Sequence, residues 1–377
     1  MSEVYILSAV RSPVGIGKPG GALSPLTPID LTAMLLQEAA RRAGVELAWV
    51  EDVILGCVTP IGEQGANLAR LAALKAGFPV KVPAVTLNRM CGSSQQAVHF
   101  AAQAILAGDM DIVMAGGTEM MSRQPMGSDW PTQWPEDFPY KLVSQGISAE
   151  LIAAKWGLGR RELDDFGYQS HLRAMQAIKN GYFETQLLPI TRPDGVVVNR
   201  DEGVRMPPDR ERMANLKPAF KEGGVITAGN ASQISDGSAI LVLASPRAVG
   251  RYNLLPRARL VARVVVGSDP ILMLDGPIPA TRQVLERVGL TLDDMDVIEI
   301  NEAFASVVLA WAREFEPDME RVNPNGGAIA LGHPLGATGA VLMTKLVYEL
   351  ERRAGRFGLQ TMCIGHGMAT ATVIERL

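Results

Sequence analysis

Cys91 is the residue of this sequence best placed to act as a nucleophile. It lies in the stretch VTLNRMCGSSQQAVHFAAQAI, residues 85–105, between a predicted strand and a predicted helix of small residues. The unpaired N–H groups and the dipole at the start of a helix favour a thiolate, so we expect Cys91 to have a lowered pKa. A buried cysteine that serves only as a small apolar residue is the alternative, and this stretch alone leaves it open.

Three other loops carry groups that such a nucleophile would need. Asn301 and Glu302 follow a predicted strand, His333 lies in GGAIALGHPLGATGA, and Cys363 lies in CIGHG. In acyl transfer a thiolate attacks a carbonyl carbon, a histidine takes the thiol proton, and a second thiol can exchange a proton with carbon. Backbone N–H groups in glycine-rich turns can bind the oxyanions that form.

Each of these residues also has a purely structural explanation. A loop histidine such as His333 often hydrogen-bonds the backbone, and Asn301 with Glu302 is compatible with an ordinary helix cap. Cys363 is compatible with a place in the core of a sheet, with its neighbouring glycines serving a tight turn.

Length and composition exclude several classes of protein. A chain of 377 residues predicts two domains or a duplicated domain. The net charge of −4 gives no reason to expect a nucleic-acid partner, and no apolar run reaches the roughly 20 residues of a membrane span. The three cysteines are widely spaced, so we expect neither a disulfide framework nor a metal site. We therefore expect the protein to be located in a reducing compartment, the cytoplasm. The first residues are predicted to form a strand and not a signal peptide.

Alternating strands and helices predict an α/β fold with a largely parallel sheet in the first part of the chain. The predicted strands are 4–10, 50–56, 84–87 and 112–115, and the predicted helices are 30–43 with Asp30 as cap, 67–76 and 94–107. Between residues 125 and 226 the alternation fails, although a charged helix is predicted at 160–179. We interpret residues 125–226 as an inserted loop or cap domain.

The second part of the chain repeats the first. The predicted strand at 295–301 and its helix match the unit that begins at residue 50, and residues 323–350 again pass from a glycine-rich loop into a helix of small residues. The closing segment is predicted as a glycine-rich turn before a strand at 369–374. We therefore predict two similar α/β halves with mixed sheets, related by a pseudo-dyad. The predicted domains are 1–124 with 227–250, the insert 125–226, and 251–377.

Five motifs, in order, resemble those of the thiolase family over essentially the whole chain. They are NRMCGSSQQA for the nucleophile loop, GNASQISDGSA for the inner cofactor segment, NEAFA for the asparagine loop, NPNGGAIALGHPLGATGA for the histidine loop and CIGHGMATATVIE for the acid/base loop. The resemblance implies the thiolase fold and a CoA-dependent acyltransferase. The implied reaction is thiolytic cleavage of a 3-oxoacyl-CoA to acetyl-CoA and a shortened acyl-CoA, with Claisen condensation as its reverse.

The resemblance also implies roles for single residues. Cys91 would accept the acyl group, His333 would be its base and an oxyanion donor, and Cys363 would be the general acid/base. Asn301 would hold a water of one oxyanion hole, and the N–H groups of Cys91 and Gly365 would form the second. The implied CoA contacts are Arg205, Phe220, Ala228, Ser232, Ala303 and Phe304.

The same resemblance implies which molecules the protein meets. CoA would be a substrate beside 3-oxoacyl-CoA and acetyl-CoA, with no permanently bound cofactor and no metal. A homodimer or homotetramer is implied as well.

Departures from the family pattern bear on the substrate. Ser144-Gln145-Gly146 stands where many short-chain thiolases have His-Met-Gly, and His366 replaces a glycine, either to tune Cys363 or to point away. Gln95-Gln96 and MSRQPMGSDW are more similar to degradative thiolases, which act on fatty acyl or steroid side chains, than to short-chain synthases.

A short-chain acetyl-CoA acetyltransferase is the alternative function, and a non-catalytic acyl-CoA or lipid-binding protein is a more remote one. A decarboxylating ketoacyl synthase is disfavoured, because that related family usually has a second histidine where this chain has Cys363.

Overall fold

The structure, a computed structural model, describes residues 3–377. Its strands are Tyr5–Arg11 (β1), Gly15–Ile16 (β2), Asp52–Gly56 (β3), Ala84–Leu87 (β4), Ile112–Met120 (β5), Ile190–Thr191 (β6), Val197–Val198 (β7), Ser235–Ala244 (β8), Ala258–Gly267 (β9), Val297–Ile300 (β10), Phe357–Ile364 (β11) and Met368–Arg376 (β12). Its α-helices are Pro28–Ala43 (α1), Leu68–Lys75 (α2), Ser93–Ala107 (α3), Gln145–Lys155 (α4), Arg160–Lys179 (α5), Arg210–Ala214 (α6), Pro246–Tyr252 (α7), Pro277–Val288 (α8), Ala305–Phe315 (α9), Ala328–Leu331 (α10) and Thr338–Arg353 (α11).

One mixed sheet holds both halves of the described chain together. Its strand order is β10-β11-β12-β9-β1-β8-β5-β3-β4, with β2 paired to β8. Outward from the centre, β1, β8, β5 and β3 correspond to β9, β12, β11 and β10. In each set the first two pairings are antiparallel and the third is parallel. The equivalent strands β1 and β9 pair antiparallel. The predicted duplicated α/β fold is confirmed, with the sheets of the two halves joined at this pair.

The equivalent helices α3 and α11 pack against each other beside the central strands. The N–H of Ala340 donates to the Ser94 hydroxyl at 2.9 Å, across the two helices. Gly339 permits this approach, because a Cβ at that position would lie only 2.4 Å from the backbone of α3. The loops that precede α3 and α11 carry Cys91 and His333, so this contact brings them toward the middle of the molecule.

Among the element boundaries that differ from the prediction, those of α1 and β5 are the clearest. Helix α1 is capped by Thr27 and not by Asp30, since the Thr27 hydroxyl accepts from the Asp30 N–H at 3.1 Å and Pro28 starts the helix. Strand β5 does not end at residue 115 but continues to Met120. Helix α5 coincides with the charged helix predicted at 160–179.

Strand β11 is absent from the prediction, which has a glycine-rich turn before a single strand in the closing segment. Residues 357–364 lie parallel to β10 and form a hairpin with β12. Apart from Phe357 the strand is buried, and its buried Gln360 and Thr361 interrupt the apolar run that would have marked it. Cys363 therefore lies near the end of a core strand.

The segment 125–226 contains α4, α5, α6 and the small sheet of β6 and β7. Helix α5 contacts loops of the second half, because Ser170 donates to the Glu302 carboxylate at 2.6 Å and Arg173 donates to the Val322 carbonyl at 2.7 Å. The boundaries of this segment as a separate domain stay a prediction.

Candidate active site

Cys91 lies in a tight turn between β4 and α3. Met90, directly before it, has a φ of 46°, and Gly92 is the N-cap residue of α3. A Cβ on Gly92 would lie 2.3 Å from Cδ1 of Ile364, so the last residue of β11 packs closely on this turn. The sequence prediction of a strand-to-helix turn is confirmed, and the turn is covered by the segment that carries Cys363.

The pKa of Cys91 is raised, which makes the expected lowering wrong. Burial raises the pKa of this thiol to about 11, although hydrogen bonds from the Gly365 N–H, its own N–H and the Gln145 side chain oppose the increase. The side chain is 3% exposed, and desolvation outweighs the stabilisation expected from the helix start. A thiol with this pKa requires a base to become a nucleophile at neutral pH.

His333 can supply that base, because its hydrogen bonds fix its tautomer. Its Nδ1 lies 2.6 Å from the Thr338 hydroxyl, and that hydroxyl donates its own hydrogen to the Pro334 carbonyl at 2.9 Å. The Thr338 oxygen must therefore accept from Nδ1–H, which leaves the lone pair on Nε2, the nitrogen that can accept a proton. Burial lowers the pKa of His333 to about 4, so the ring is neutral at pH 7.

Asn301 lies beside this nitrogen, with its Nδ2 3.4 Å from His333 Nε2. Its Oδ1 is buried and makes no hydrogen bond to residues 3–377, so an acceptor faces the same space. The helix-cap explanation for Asn301 and Glu302 is wrong, because α9 begins at Ala305 without a side-chain cap. Glu302 instead accepts from Ser170, Asn323 and the Ile329 N–H.

Cys363 is fully buried near the end of β11, and burial together with the nearby Cys91 raises its pKa. Cys91, Met362 and Leu335 share one apolar cluster, and Leu335 is two residues from His333. Gly365 follows in the turn, where a Cβ would lie 3.2 Å from the Gln145 Nε2. The structure thus gathers Cys91, Cys363 and Gly365 and sets the His333 loop against them.

His366 occupies a left-handed conformation, with φ of 65°, in the turn after Gly365. Its ring lies 6.0 Å from that of Trp130, between centroids, at an interplanar angle of 47°. The side chain therefore contacts the segment 125–226.

Four of the six predicted CoA contacts form one group. The Ser232 N–H donates to the Ala303 carbonyl at 2.9 Å, and Ala231 forms a β-bridge with Phe304. The Phe304 ring meets Phe220 edge to face, with centroids 5.9 Å apart.

The other two, Arg205 and Ala228, line a cavity of about 290 Å³. His171, which sequence reasoning missed, lines it as well. Its Nδ1 accepts from the Arg205 N–H at 3.1 Å, so Nε2 carries the hydrogen, and burial lowers the pKa of this histidine to about 4. The only sign of His171 in the sequence is that it lies in a predicted helix rich in charged residues.

Glu119 is a second residue that the sequence did not reveal. Its buried carboxylate accepts from the Val58 N–H at 2.7 Å, the Gln64 amide at 2.8 Å and the Gly336 N–H at 2.9 Å. It therefore ties the loop after β3 to the loop that contains His333. An acidic residue at the end of an apolar strand was the only sign in the sequence.

The described residues 3–377 form no metal site. Within residues 3–377, no three or more His, Cys, Asp or Glu side chains are arranged to hold a metal ion. Cys57, Cys91 and Cys363, all in this part of the chain, are free thiols. Of the helices described, none has the length and apolar character needed to span a bilayer.

Comparison with known proteins gives matches along the whole chain. Residues 4–247 match the thiolase N-terminal domain and residues 254–376 the thiolase C-terminal domain. The chain is 49% identical to a steroid 3-ketoacyl-CoA thiolase of Mycobacterium tuberculosis, covering 100% of this chain and 95% of that protein. It is 42% identical to a beta-ketoadipyl-CoA thiolase of Acinetobacter baylyi, with 100% of both chains covered. The crystal structure of the Bacillus anthracis acetyl-CoA acetyltransferase superposes with a TM-score of 0.93 at 42% identity, covering 100% of this chain and 99% of that one. With family models matching both halves and relatives more than 40% identical along the full chain, the chain belongs to the thiolase family.

Proposed function

We propose that this acyltransferase cleaves 3-oxoacyl-CoA thiolytically, through an acyl thioester on Cys91, to give acetyl-CoA and a shortened acyl-CoA. The observation that carries the proposal is the meeting of two buried thiols, Cys91 and Cys363, with the loop of a neutral histidine whose Nε2 is free to accept a proton. Membership of the thiolase family supports the same reaction class.

In the first half-reaction, His333 Nε2 takes the Cys91 proton, and the sulfur attacks the 3-keto carbon of the substrate. The resulting imidazolium donates to the oxyanion together with a water held by Asn301. When the oxyanion collapses, the Cα–Cβ bond breaks and its electron pair leaves on the acetyl-CoA enolate. Cys363 protonates that enolate, and the acyl group stays on Cys91.

The second half-reaction returns every proton. The Cys363 thiolate takes the proton of the incoming CoA thiol, and the CoA sulfur attacks acyl-Cys91. The N–H groups of Cys91 and Gly365 would hold this oxyanion, and both already oppose the rise in the pKa of the Cys91 thiol. Cys91 leaves as the thiol by regaining the proton from His333.

CoA would lie between the two groups of predicted contacts. Phe220, Ser232, Ala303 and Phe304 would line the pantetheine arm, and Arg205 and Ala228 would meet the nucleotide in the cavity of about 290 Å³. His171 Nε2–H and the cationic Arg212 line that cavity too and suit phosphate oxygens. CoA is then a substrate, with no permanently bound cofactor.

The substrate proposed is a degradative 3-oxoacyl-CoA, of fatty acyl or steroid side-chain type, and not acetoacetyl-CoA. Ser144-Gln145-Gly146 in place of the short-chain motif supports this, as does the similarity to a steroid 3-ketoacyl-CoA thiolase. The second candidate is a short-chain acetyl-CoA acetyltransferase, favoured by the likeness to the Bacillus anthracis structure.

A thiolysis assay over a panel of 3-oxoacyl-CoAs of increasing size separates these functions. Higher kcat/KM for long or polycyclic acyl groups is expected, whereas strong preference for acetoacetyl-CoA would establish the second candidate. No turnover and no acylation of Cys91 with any substrate would instead indicate a non-catalytic acyl-CoA-binding protein.

We also propose a homodimer or homotetramer. Strand β4 ends the sheet order among residues 3–377, and its Val85 is 44% exposed, so an unpaired strand edge and an apolar side chain face outward. Light scattering after size-exclusion chromatography would give the mass. The domain boundaries at 125–226 and a cytoplasmic location stay predictions.

A further inference from the structure

The carboxylate of Glu119 lies near the end of β5 and is fully buried. Each of its oxygens accepts more than one hydrogen bond. Oε2 accepts from the Val58 N–H at 2.7 Å and the Gly336 N–H at 2.9 Å. Oε1 accepts from the Thr59 N–H at 3.2 Å and the Gln64 amide at 2.8 Å. The partners belong to two separate loops, one after β3 and one before α11.

These contacts suit an ionised carboxylate. The partners found for Glu119 among residues 3–377 are all donors: the four N–H groups and the Cys57 thiol, whose sulfur lies 3.8 Å from Oε1. Burial raises the pKa of Glu119, and the hydrogen bonds from the N–H groups oppose the increase. A glutamine has one acceptor oxygen and one NH₂ group, so it would turn a donor toward two of the N–H groups.

Through Gly336 the carboxylate holds the histidine loop. Gly336 lies three residues after His333 and two before Thr338, whose hydroxyl fixes the tautomer of the ring. A Cβ on Gly336 would lie 2.7 Å from Glu119 Oε2, and a Cβ on Gly117 would lie 2.1 Å from the Gly336 carbonyl. The backbone of the histidine loop therefore packs directly on β5, with the carboxylate beside it.

Through Val58 the same carboxylate reaches the nucleophile turn. The Val58 N–H donates to Glu119, and the Val58 carbonyl accepts from the Asn88 side-chain amide at 2.8 Å. Asn88 Oδ1 accepts in turn from the Met90 N–H at 2.8 Å, directly before Cys91. Glu119 is thus hydrogen-bonded to both loops that meet at the site, one from each half of the molecule.

We propose that Glu119 is a positioning residue, whose carboxylate holds the His333 loop at the distance from the Cys91 turn that proton transfer requires. The inference rests on the proposed function and extends it to a residue that contacts no reacting atom. A base must lie within hydrogen-bond reach of the proton that it takes. A displacement of about 1 Å can lower a rate by about 10²-fold, and because other contacts of the loop remain, we expect the loss of the carboxylate to cost about tenfold.

The test is a double-mutant cycle between Glu119→Gln and His333→Ala. The rate of Cys91 alkylation by iodoacetamide is measured at pH 7 for the wild type, both single variants and the double variant, with peptide mapping to locate the adduct. Glu119→Gln should slow alkylation about tenfold in the wild type but cause no further loss without His333, because it acts through that residue. In thiolysis, kcat should fall by the same factor with KM for CoA unchanged.

Glu349→Gln is the matched control, because it makes the same change at another buried carboxylate, which accepts from Asn325 and Arg352. It should keep the wild-type rates, and urea denaturation shows whether each variant is folded under assay conditions. If Glu119→Gln does not fold, Glu119→Asp, which keeps both oxygens on a shorter side chain, takes its place with the same expected coupling.

The inference is overturned if Glu119→Gln leaves alkylation unchanged, or slows it equally with and without His333. If His333→Ala is alkylated as fast as the wild type, the proposed base is wrong and the inference falls with it. Alkylation needs no substrate, so a wild type that fails to cleave any 3-oxoacyl-CoA would refute the proposed function and leave the result of the cycle intact.

Discussion

The Nδ1 atom of His333 and the hydroxyl of Thr338 lie 2.6 Å apart, and this bond decides which nitrogen of the ring can act as a base. Thr338 is the first residue of α11, and its own hydrogen goes to the Pro334 carbonyl. The helix that begins behind the histidine loop therefore sets the proton position on the histidine.

Replacing Thr338 with valine should expose this dependence. The volume is kept but the acceptor for Nδ1–H is lost, so the ring can adopt the tautomer with its hydrogen on Nε2. A hydrogen bond worth about 0.5–1.5 kcal/mol predicts a loss of kcat of about two- to tenfold. Steady-state thiolysis kinetics measure this loss, and Thr338→Ser, which keeps the acceptor, should recover most of the rate. Full activity of the valine variant would contradict the tautomer assignment.

Substitution of each of the two cysteines should block a different step of the reaction. Cys91→Ser should abolish acyl-enzyme formation, whereas Cys363→Ala should still accept an acyl group from acyl-CoA but fail to cleave the C–C bond. The reason is that proton delivery to the enolate needs Cys363, and acylation does not. Intact-mass spectrometry after incubation with acyl-CoA distinguishes the two variants. Acylation at a residue other than Cys91 would refute the assignment.

The pH dependence of kcat/KM should have an unusually acidic lower limb. The neutral form of His333 is the base, and its pKa is lowered to about 4, so activity should fall only as the pH drops toward 4 and not near 6.5. Cys91, whose pKa is raised to about 11, stays a thiol through neutral pH and produces no limb there. A plateau between about pH 6 and pH 9 is expected. An acid limb centred near 6.5 would show that His333 is not buried as described.

Arg205 should contribute to CoA affinity and little to the chemical step. Arg205→Ala should raise KM for CoA about tenfold, the value of one partly screened charge-assisted hydrogen bond, with kcat nearly unchanged. Thiolysis with N-acetylcysteamine, which lacks the nucleotide, should be unaffected. Arg161→Ala makes the same charge change at a side chain that is 97% exposed and should leave KM for CoA as it is.

The buried pair of Lys345 and Glu299 should be important for stability. Lys345 Nζ lies 2.7 Å from the Glu299 carboxylate and 2.6 Å from the Gly326 carbonyl, with both side chains at most 1% exposed. Lys345→Met leaves a carboxylate buried without its partner, and a loss of about 3–5 kcal/mol in unfolding free energy is expected. Urea denaturation measures it. Lys345→Met combined with Glu299→Gln should recover part of the loss, which a pair without coupling would not show.

The sequence allowed the catalytic loops to be predicted because each has a local signal. Strand β4 before Cys91 has the predicted limits, and α3 begins one residue earlier than predicted. The pKa of Cys91 was not predictable in the same way, since burial by Met362 and Leu335 depends on segments far along the chain. Strand β11 was hidden because its polar residues lie in the core.

Residues whose partners are distant in sequence gave no usable pattern. Glu119 meets Gly336 across 217 positions, and His171 meets Arg205 across 34. A buried acidic or imidazole side chain acquires its role only when folding supplies the groups that satisfy it. Gln145 could be seen as a departure from the family pattern, but the place of its side chain beside Gly365 depends on the start of α4.

The antiparallel pairing of β1 with β9 joins the two copies of the repeated unit, and neither copy contains the whole proposed active site. Cys91 belongs to one copy of the repeated unit, whereas His333 and Cys363 belong to the other, so a single copy holds either a nucleophile or its proton partners. A gene that lost one half would encode a fragment with an incomplete set of reacting atoms. Neither copy can therefore carry out the proposed reaction alone, and activity requires both copies in one folded chain.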